Sequence, residues 1–264
     1  MTALPYVEQG DATGIPVLML HGVTDSWRSF ELVMPHLPED IRAIAATQRG
    51  HGDAPKPDSG YLIEDLAGDA VELMDDLGVE RAVVVGHSMG SWVAQRIAID
   101  HPDRLMGMVL AGSFVGSVAR YPALAAAMRE LGDVPVPVTA EYARQFQAST
   151  VAKPLDPEQL EVFVRESLKA PPHVWRETFN GFAELDQGDE LRDVQVPALL
   201  AWGDRDAFTG RAAQQELLAL LGDARLEVYE GAGHAVHWDQ PLRFARDVAA
   251  FSRYSAALQL SRSP

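Results

Sequence analysis

Gly86-His87-Ser88-Met89-Gly90 is the stretch of the chain best suited to do chemistry. It follows the β-branched run Val83-Val84-Val85 and leads into Trp92-Val93-Ala94-Gln95-Arg96-Ile97-Ala98, which has helical character. A serine between two glycines where a strand becomes a helix sits on a tight turn, outside the sheet. Its hydroxyl is a weak nucleophile until a base takes the proton. The turn also sets the Met89 N–H at a helix N-terminus, where free donors and the helix dipole favour developing negative charge. The chemistry this pattern points to is attack by Ser88 on an electrophilic carbon. A serine that only caps a helix is the plainer alternative, so the rest of the chain has to supply a base, an acid and a second anion-stabilising donor.

Two further turns offer those types. Gly231-Ala232-Gly233-His234 follows a short strand, and an imidazole titrating near neutrality can take the Ser88 proton and return it to a leaving group. Gly203-Asp204-Arg205-Asp206 follows Ala198-Leu199-Leu200-Ala201-Trp202, and a carboxylate from this turn can hold the ring's tautomer and stabilise the imidazolium. Spacing leaves both Asp204 and Asp206 open for that role. His237 lies three residues after His234, but no third ligand has clear spacing, so no metal is expected. Neither Gly50-His51-Gly52 nor the Ser88 turn matches a nucleotide-binding glycine pattern, and no cofactor is expected.

Alternating strands and helices position these turns. Buried strands are expected at Val17–Leu20, Ile41–Ala46, Val83–Val85, Leu105–Ala111, Val196–Trp202 and Arg225–Tyr229, with a shorter one at Tyr6–Gly10. Helices are expected over Ser29–Leu37, Leu62–Leu77, the segment after Ser88, Ala212–Leu221 and Pro241 to about Phe251, followed by a short mobile tail. This rhythm predicts an α/β fold, a mostly parallel central sheet flanked by helices. From Phe114 to Val194 strand signals vanish in favour of helical segments such as Ala123–Leu131 and Pro157–Leu168, separated by proline breaks. The expected organisation is a core of residues 1–113 and 195–264 with a helical cap inserted over 114–194.

These motifs together resemble the cap-bearing serine hydrolases of the α/β-hydrolase fold. The resemblance is carried by His21-Gly22, the Arg49-Gly50-His51-Gly52 loop, the Ser88 turn, Gly203 to Asp206, and Gly231 to His234 running on to Pro241. It extends over nearly the whole chain and includes the family's order of serine, acid, histidine. It implies Ser88 as nucleophile, Asp206 rather than Asp204 as orienting acid, and His234 as general base. It also implies an oxyanion hole from the Val23 and Met89 N–H groups. His21, His51 and His87 take structural roles by the same analogy. Members that open epoxides or remove halides carry aspartate where this chain has Ser88, so the implied reaction is hydrolysis of a carboxylic ester or lactone through an acyl-enzyme. Small esterases and acyl-homoserine-lactone hydrolases are the members it most resembles. A C–C-bond hydrolase, a cofactor-free perhydrolase and a slow-turnover small-molecule receptor are the competing readings.

A substrate pocket is expected at the carboxyl ends of the strands. Its proposed lining is Trp27, Phe30, Met89, Phe114, Trp175, Phe179, Phe182 and Phe208, each of which would serve equally well as plain core.

Composition narrows the partners. The 264 residues carry 22 basic and 38 acidic groups, a net charge of −16, which disfavours nucleic acid and anionic membrane surfaces. An apolar fraction of 47% is ordinary for a globular protein. The chain has no cysteine, which removes thiolate chemistry and disulfides. The first residues show no signal peptide and no apolar run is long enough to span a bilayer, so a cytoplasmic enzyme acting on a small molecule is expected.

Overall fold

The computed structural model describes residues 4–262. Seven strands form one sheet: β1 (Tyr6–Gln9), β2 (Ile15–Leu20), β3 (Ile41–Ala46), β4 (Ala82–His87), β5 (Leu105–Ala111), β6 (Ala198–Gly203) and β7 (Ala224–Tyr229). Their order is β1-β3-β2-β4-β5-β6-β7, with β1 antiparallel to β3 and every other pairing parallel. The central strands are apolar without alternation because both faces are covered. On β2, Leu18 and Leu20 join the cluster under α1 (Ile63–Asp76) and α2 (Met89–Asp100). Val17 and Met19, one residue out of phase, join the opposite cluster with Phe244 and Val248.

Four helices lie between β5 and β6: α3 (Pro122–Gly132), α4 (Ala140–Ala148), α5 (Pro157–Ser167) and α6 (Pro172–Glu184). They pack in pairs, α3 against α6 and α4 against α5. After β6 come α7 (Arg211–Leu220), the short α8 (Val236–Asp239) and the long α9 (Pro241–Arg262).

Two expected elements differ. Residues 29–37 do not form an α-helix. They hold two 3-10 turns, Trp27–Phe30 and Met34–His36, because Pro35 supplies no N–H and the Ser26 hydroxyl caps the first turn at Arg28 N. The segment after Tyr254 is not a loose tail, since α9 runs on to Arg262 with Ser252 and Ser255 fully buried and Arg225 stacked on Phe251 and Tyr254. Among the described residues no helix is long and apolar enough to cross a membrane.

The strand order reverses between β2 and β4, since β3 lies to one side of this pair and β5 to β7 to the other. Loops leaving neighbouring strands at such a switch point diverge and open a crevice at the carboxyl edge. Leu20 is in register with Gly86, so the His21-Gly22-Val23 turn emerges beside the Ser88 turn. Two glycines make the crossing possible. A Cβ on Gly86 would sit 2.1 Å from the Gly90 carbonyl oxygen, and one on Gly90 would sit 2.1 Å from the Leu20 carbonyl oxygen. Backbone cannot move aside as a side chain can. Gly90→Ala is therefore expected to destabilise the protein by at least about 1–3 kcal/mol. Gly68→Ala, in the middle of α1 with open space around it, should stabilise by about 0.5–1 kcal/mol. Denaturant titration of both variants checks this, and a parent-like Gly90→Ala would contradict the crossing argument.

Candidate active site

Ser88 sits at the junction of β4 and α2 with φ 51° and ψ −115°, one of two non-glycine residues at positive φ among the described residues. The surroundings fix that strained backbone. Ser88 N donates to Ala111 O at 2.9 Å on β5, and Ser91 Oγ donates to Ser88 O at 2.6 Å. Met89 opens α2, so its N–H is one of the unpaired first-turn donors of that helix. Val23 faces the same cavity as Ser88. The turn carrying Val23 is anchored by His21, whose Nε2 accepts from Gln48 N at 3.0 Å and whose Nδ1 lies 2.7 Å from Gly22 O.

Asp206 and His234 come from the turns after β6 and β7. His234 Nδ1 lies 2.9 Å from Asp206 Oδ2. Asp206 Oδ1 accepts from Phe208 N at 2.7 Å and Thr209 N at 3.0 Å, while Thr209 Oγ1 donates to Oδ2 at 2.5 Å. Burial pushes this carboxyl up, but the donors from His234, Thr209 and the Phe208 N–H outweigh it and hold it below the usual carboxylate range. An ionised carboxylate can only accept, so His234 Nδ1 carries the proton and Nε2 is left to face the cavity. Asp204 stands apart. It is exposed, and its Oδ1 accepts from Gly231 N at 2.6 Å, bracing the loop before His234.

The cavity beside Ser88 and His234 has a volume of about 640 Å³ including its open mouth. Its wall is largely aromatic: Trp92 of α2, Phe114, Phe146 of α4, Phe179 and Phe182 of α6, and Phe208. Phe208 is 48% exposed at the mouth and packs on the His234 ring at 4.9 Å. Three residues expected in the lining are elsewhere. Phe30 is fully buried in the core against His237. Trp27 packs against that same core cluster under the Arg28 guanidinium. Trp175 is turned away from the cavity and packs its ring edge-on against Tyr142 and Phe146. Met89 contributes its N–H position but its side chain is core. Spacing alone missed Asp25, Trp92, Met128, Phe146, Gln147 and Trp238, all of which face the cavity. Trp92, four residues after Ser88 on the same helix, carried a readable signal; Phe146 and Gln147 did not.

Behind His234 the histidines form a buried stack. His87 lies with ring centroids 5.1 Å from His234 and 4.4 Å from His237. His237 Nε2 pairs with Ser29 Oγ at 3.0 Å. Among the described residues no group of three histidines, aspartates or glutamates could hold a metal ion. Desolvation holds His237 at about 3 and His51 at about 4, and holds His21 and His87 well below the ordinary imidazole value. The four stay neutral in the folded protein, whereas in the unfolded chain each takes up a proton below about pH 6.5. Asp25, raised to about 7, works in the opposite sense as a single group. Unfolding free energy is therefore expected to fall as pH drops from about 6.5 to 4, by about 1.4 kcal/mol per pH unit for each net proton taken up. Denaturant midpoints measured across that range check the sign, and a flat profile would contradict it.

A family model described as the alpha/beta hydrolase fold matches residues 15–241. The chain belongs to this family. It is 27% identical to epoxide hydrolase 3 of Xenopus tropicalis, over 89% of this chain and 71% of that protein. It is 26% identical to 3-oxoadipate enol-lactonase 2 of Acinetobacter baylyi, over 94% of this chain and 92% of that one. Among solved structures, Est816, described as an N-acyl homoserine lactone degrading enzyme, superposes with a TM-score of 0.79 at 27% identity, covering 94% of this chain and 96% of its own. The class defined by fold and kinship is a hydrolase of the α/β-hydrolase family.

Proposed function

We propose that the protein hydrolyses carboxylic esters or lactones through an acyl-enzyme on Ser88. The observation that carries this reading is the bond of His234 Nδ1 to a buried, multiply hydrogen-bonded Asp206 carboxylate, in a cavity that His234 shares with Ser88. In the first step Ser88 Oγ attacks the acyl carbon while His234 Nε2 takes its proton. The Val23 and Met89 N–H groups stabilise the oxyanion. The acyl C–O bond then breaks as His234 returns the proton to the departing alcohol oxygen. In the second step His234 takes a proton from water, the hydroxide equivalent attacks the acyl-serine, and the proton goes back to Ser88 Oγ as the acid leaves.

Two features support the acyl class over epoxide opening, which the kinship to epoxide hydrolase 3 raises. Residue 88 is serine, where epoxide-opening members carry aspartate. The helices between β5 and β6 act in this reading as a cap over residues 114–194, with α3, α4 and α6 supplying an aromatic wall for a neutral acyl group. No Arg or Lys lines the cavity among the described residues, so an anionic substrate would find no counter-charge. The likeness to the enol-lactonase and to Est816 supports lactones within the same class.

Turnover of a p-nitrophenyl acyl ester is expected to persist in chelator and to fall by several orders of magnitude in Ser88→Ala. Asp206→Asn should cost about a thousandfold or more, since an acceptor that no longer fixes the tautomer misdirects the imidazole. Asp204→Asn, which loosens only the Gly231 contact, should cost less than about tenfold. Steady-state kcat/KM on the three variants decides. Undiminished activity in Ser88→Ala, or a greater loss at Asp204 than at Asp206, would overturn the assignment.

A further inference from the structure

One polar side chain in the aromatic cavity has no part in the reaction above. Asp25 follows the His21-Gly22-Val23 turn, is 4% exposed, and faces the same cavity as Ser88 and His234. Its position is built. Gln147 Nε2 of α4 donates to Oδ1 at 2.8 Å and Ser29 Oγ donates to Oδ2 at 3.2 Å. Gln147 is itself 1% exposed and also reaches Ser167 Oγ at 2.7 Å and Thr24 Oγ1 at 3.2 Å. Thr24, the residue that aims this segment, sits at φ 69°. A strained backbone and a buried amide thus hold a carboxyl against an apolar pocket, although a neutral side chain there would avoid the desolvation cost.

Among the described residues no cation pairs with Asp25. Glu166 of α5 is a like charge that acts on Asp25, and it is engaged by Lys169 at 2.9 Å and Arg28 at 3.6 Å. His237 of α8 shares Ser29 Oγ with Asp25, and His87 Nδ1 at the end of β4 lies over the same side of Gly22 as Asp25 Oδ2; both rings are neutral. Each carboxylate oxygen can accept about two hydrogen bonds and each here receives one from the protein. The spare acceptor capacity is buried, adjacent to the oxyanion turn, and open to whatever occupies the cavity.

We infer that Asp25 is a substrate-selecting residue that accepts a hydrogen bond from an N–H or O–H donor carried next to the scissile acyl carbon. This rests on the acyl-hydrolase reading of the same site and narrows it to α-acylamino or α-hydroxy acyl compounds. The selection is steric as well as electrostatic. With the carbonyl oxygen directed at the Val23 and Met89 N–H groups, the substituent on the α-carbon is the part of the substrate closest to the segment that continues from Val23 to Asp25. Burial, resisted by the Gln147 and Ser29 hydrogen bonds and reinforced by Glu166, places this carboxyl at about 7. A donor-bearing substrate favours its ionised form, so the preference for such substrates strengthens as pH rises through that value.

The test uses two phenyl esters that differ in one atom group, phenyl N-acetylglycinate and phenyl 4-oxopentanoate, in which CH2 replaces the amide N–H. The measured quantity is the ratio of their kcat/KM values, in which any pH effect common to both esters cancels. In the parent enzyme the ratio is expected to rise between pH 6 and 8. In Asp25→Asn the amide oxygen takes the Gln147 donor and an NH2 stands where Oδ2 stood, so the ratio should drop about tenfold or more and lose its pH dependence. A purely architectural role for Asp25 would instead slow both esters alike and lower the melting temperature. A ratio unchanged in Asp25→Asn overturns the inference and leaves the acyl-hydrolase reading standing. If neither ester is turned over, that reading fails, and Asp25 is then judged by equilibrium binding to Ser88→Ala. There Trp92 and Trp238 fluorescence reports each ester, and equal affinities for the two would overturn it.

Discussion

Everything in this fold turns on a backbone crossing with no room for a side chain. Where β4 becomes α2, Gly86 and Gly90 lie against each other's main chain and against Leu20 of β2. That approach lets the chain turn within a few residues, holds Ser88 at positive φ, and puts the first N–H groups of α2 beside the turn that follows β2. The sheet's order does the rest. Because β2 and β4 are neighbours with their next partners on opposite sides, the two loops part and leave a crevice between them. The turns after β6 and β7 reach the same crevice from the far side, bringing Asp206 and His234.

The electrostatics of the crevice are sparse and directional. Asp206 is kept ionised by donors on both oxygens, while the histidines stacked behind His234 are kept neutral by desolvation. The neutral stack means that a proton arriving on His234 during the proposed reaction meets no resident positive charge. Asp206 is then the counter-ion of the imidazolium. Asp25 is the exception, a carboxyl in an aromatic wall that carries no protein cation, and its place in the cavity is what a selective acceptor requires.

Much of this is legible in the sequence, for reasons that differ from residue to residue. The strand ends that carry Ser88, Asp206 and His234 can be read because doubly buried parallel strands are unbroken apolar runs that stop at glycine turns. Spacing does not separate Asp204 from Asp206, two residues apart on one turn; only the geometry shows one on His234 and the other on the Gly231 N–H. The aromatic lining is harder. Trp175, Phe179 and Phe182 share α6, but the cavity meets only part of that helix face, and Trp175 is claimed by Tyr142 and Phe146. Gln147 and Phe146 reach the crevice through the packing of α4, and no local pattern encodes that. The 3-10 turns over 27–36 show proline chemistry overriding an apolar periodicity, and the full length of α9 shows tertiary contacts ordering a segment of polar composition.

The central claim is that Ser88 is a nucleophile activated by His234. It is tested most directly by intact-protein mass spectrometry after exposure to a fluorophosphonate, which phosphonylates an activated serine with loss of fluoride. A single adduct is expected, mapped by peptide digestion to Ser88, absent from Ser88→Ala and formed far more slowly in His234→Ala. An unlabelled parent protein, or an adduct on any other residue, would contradict it.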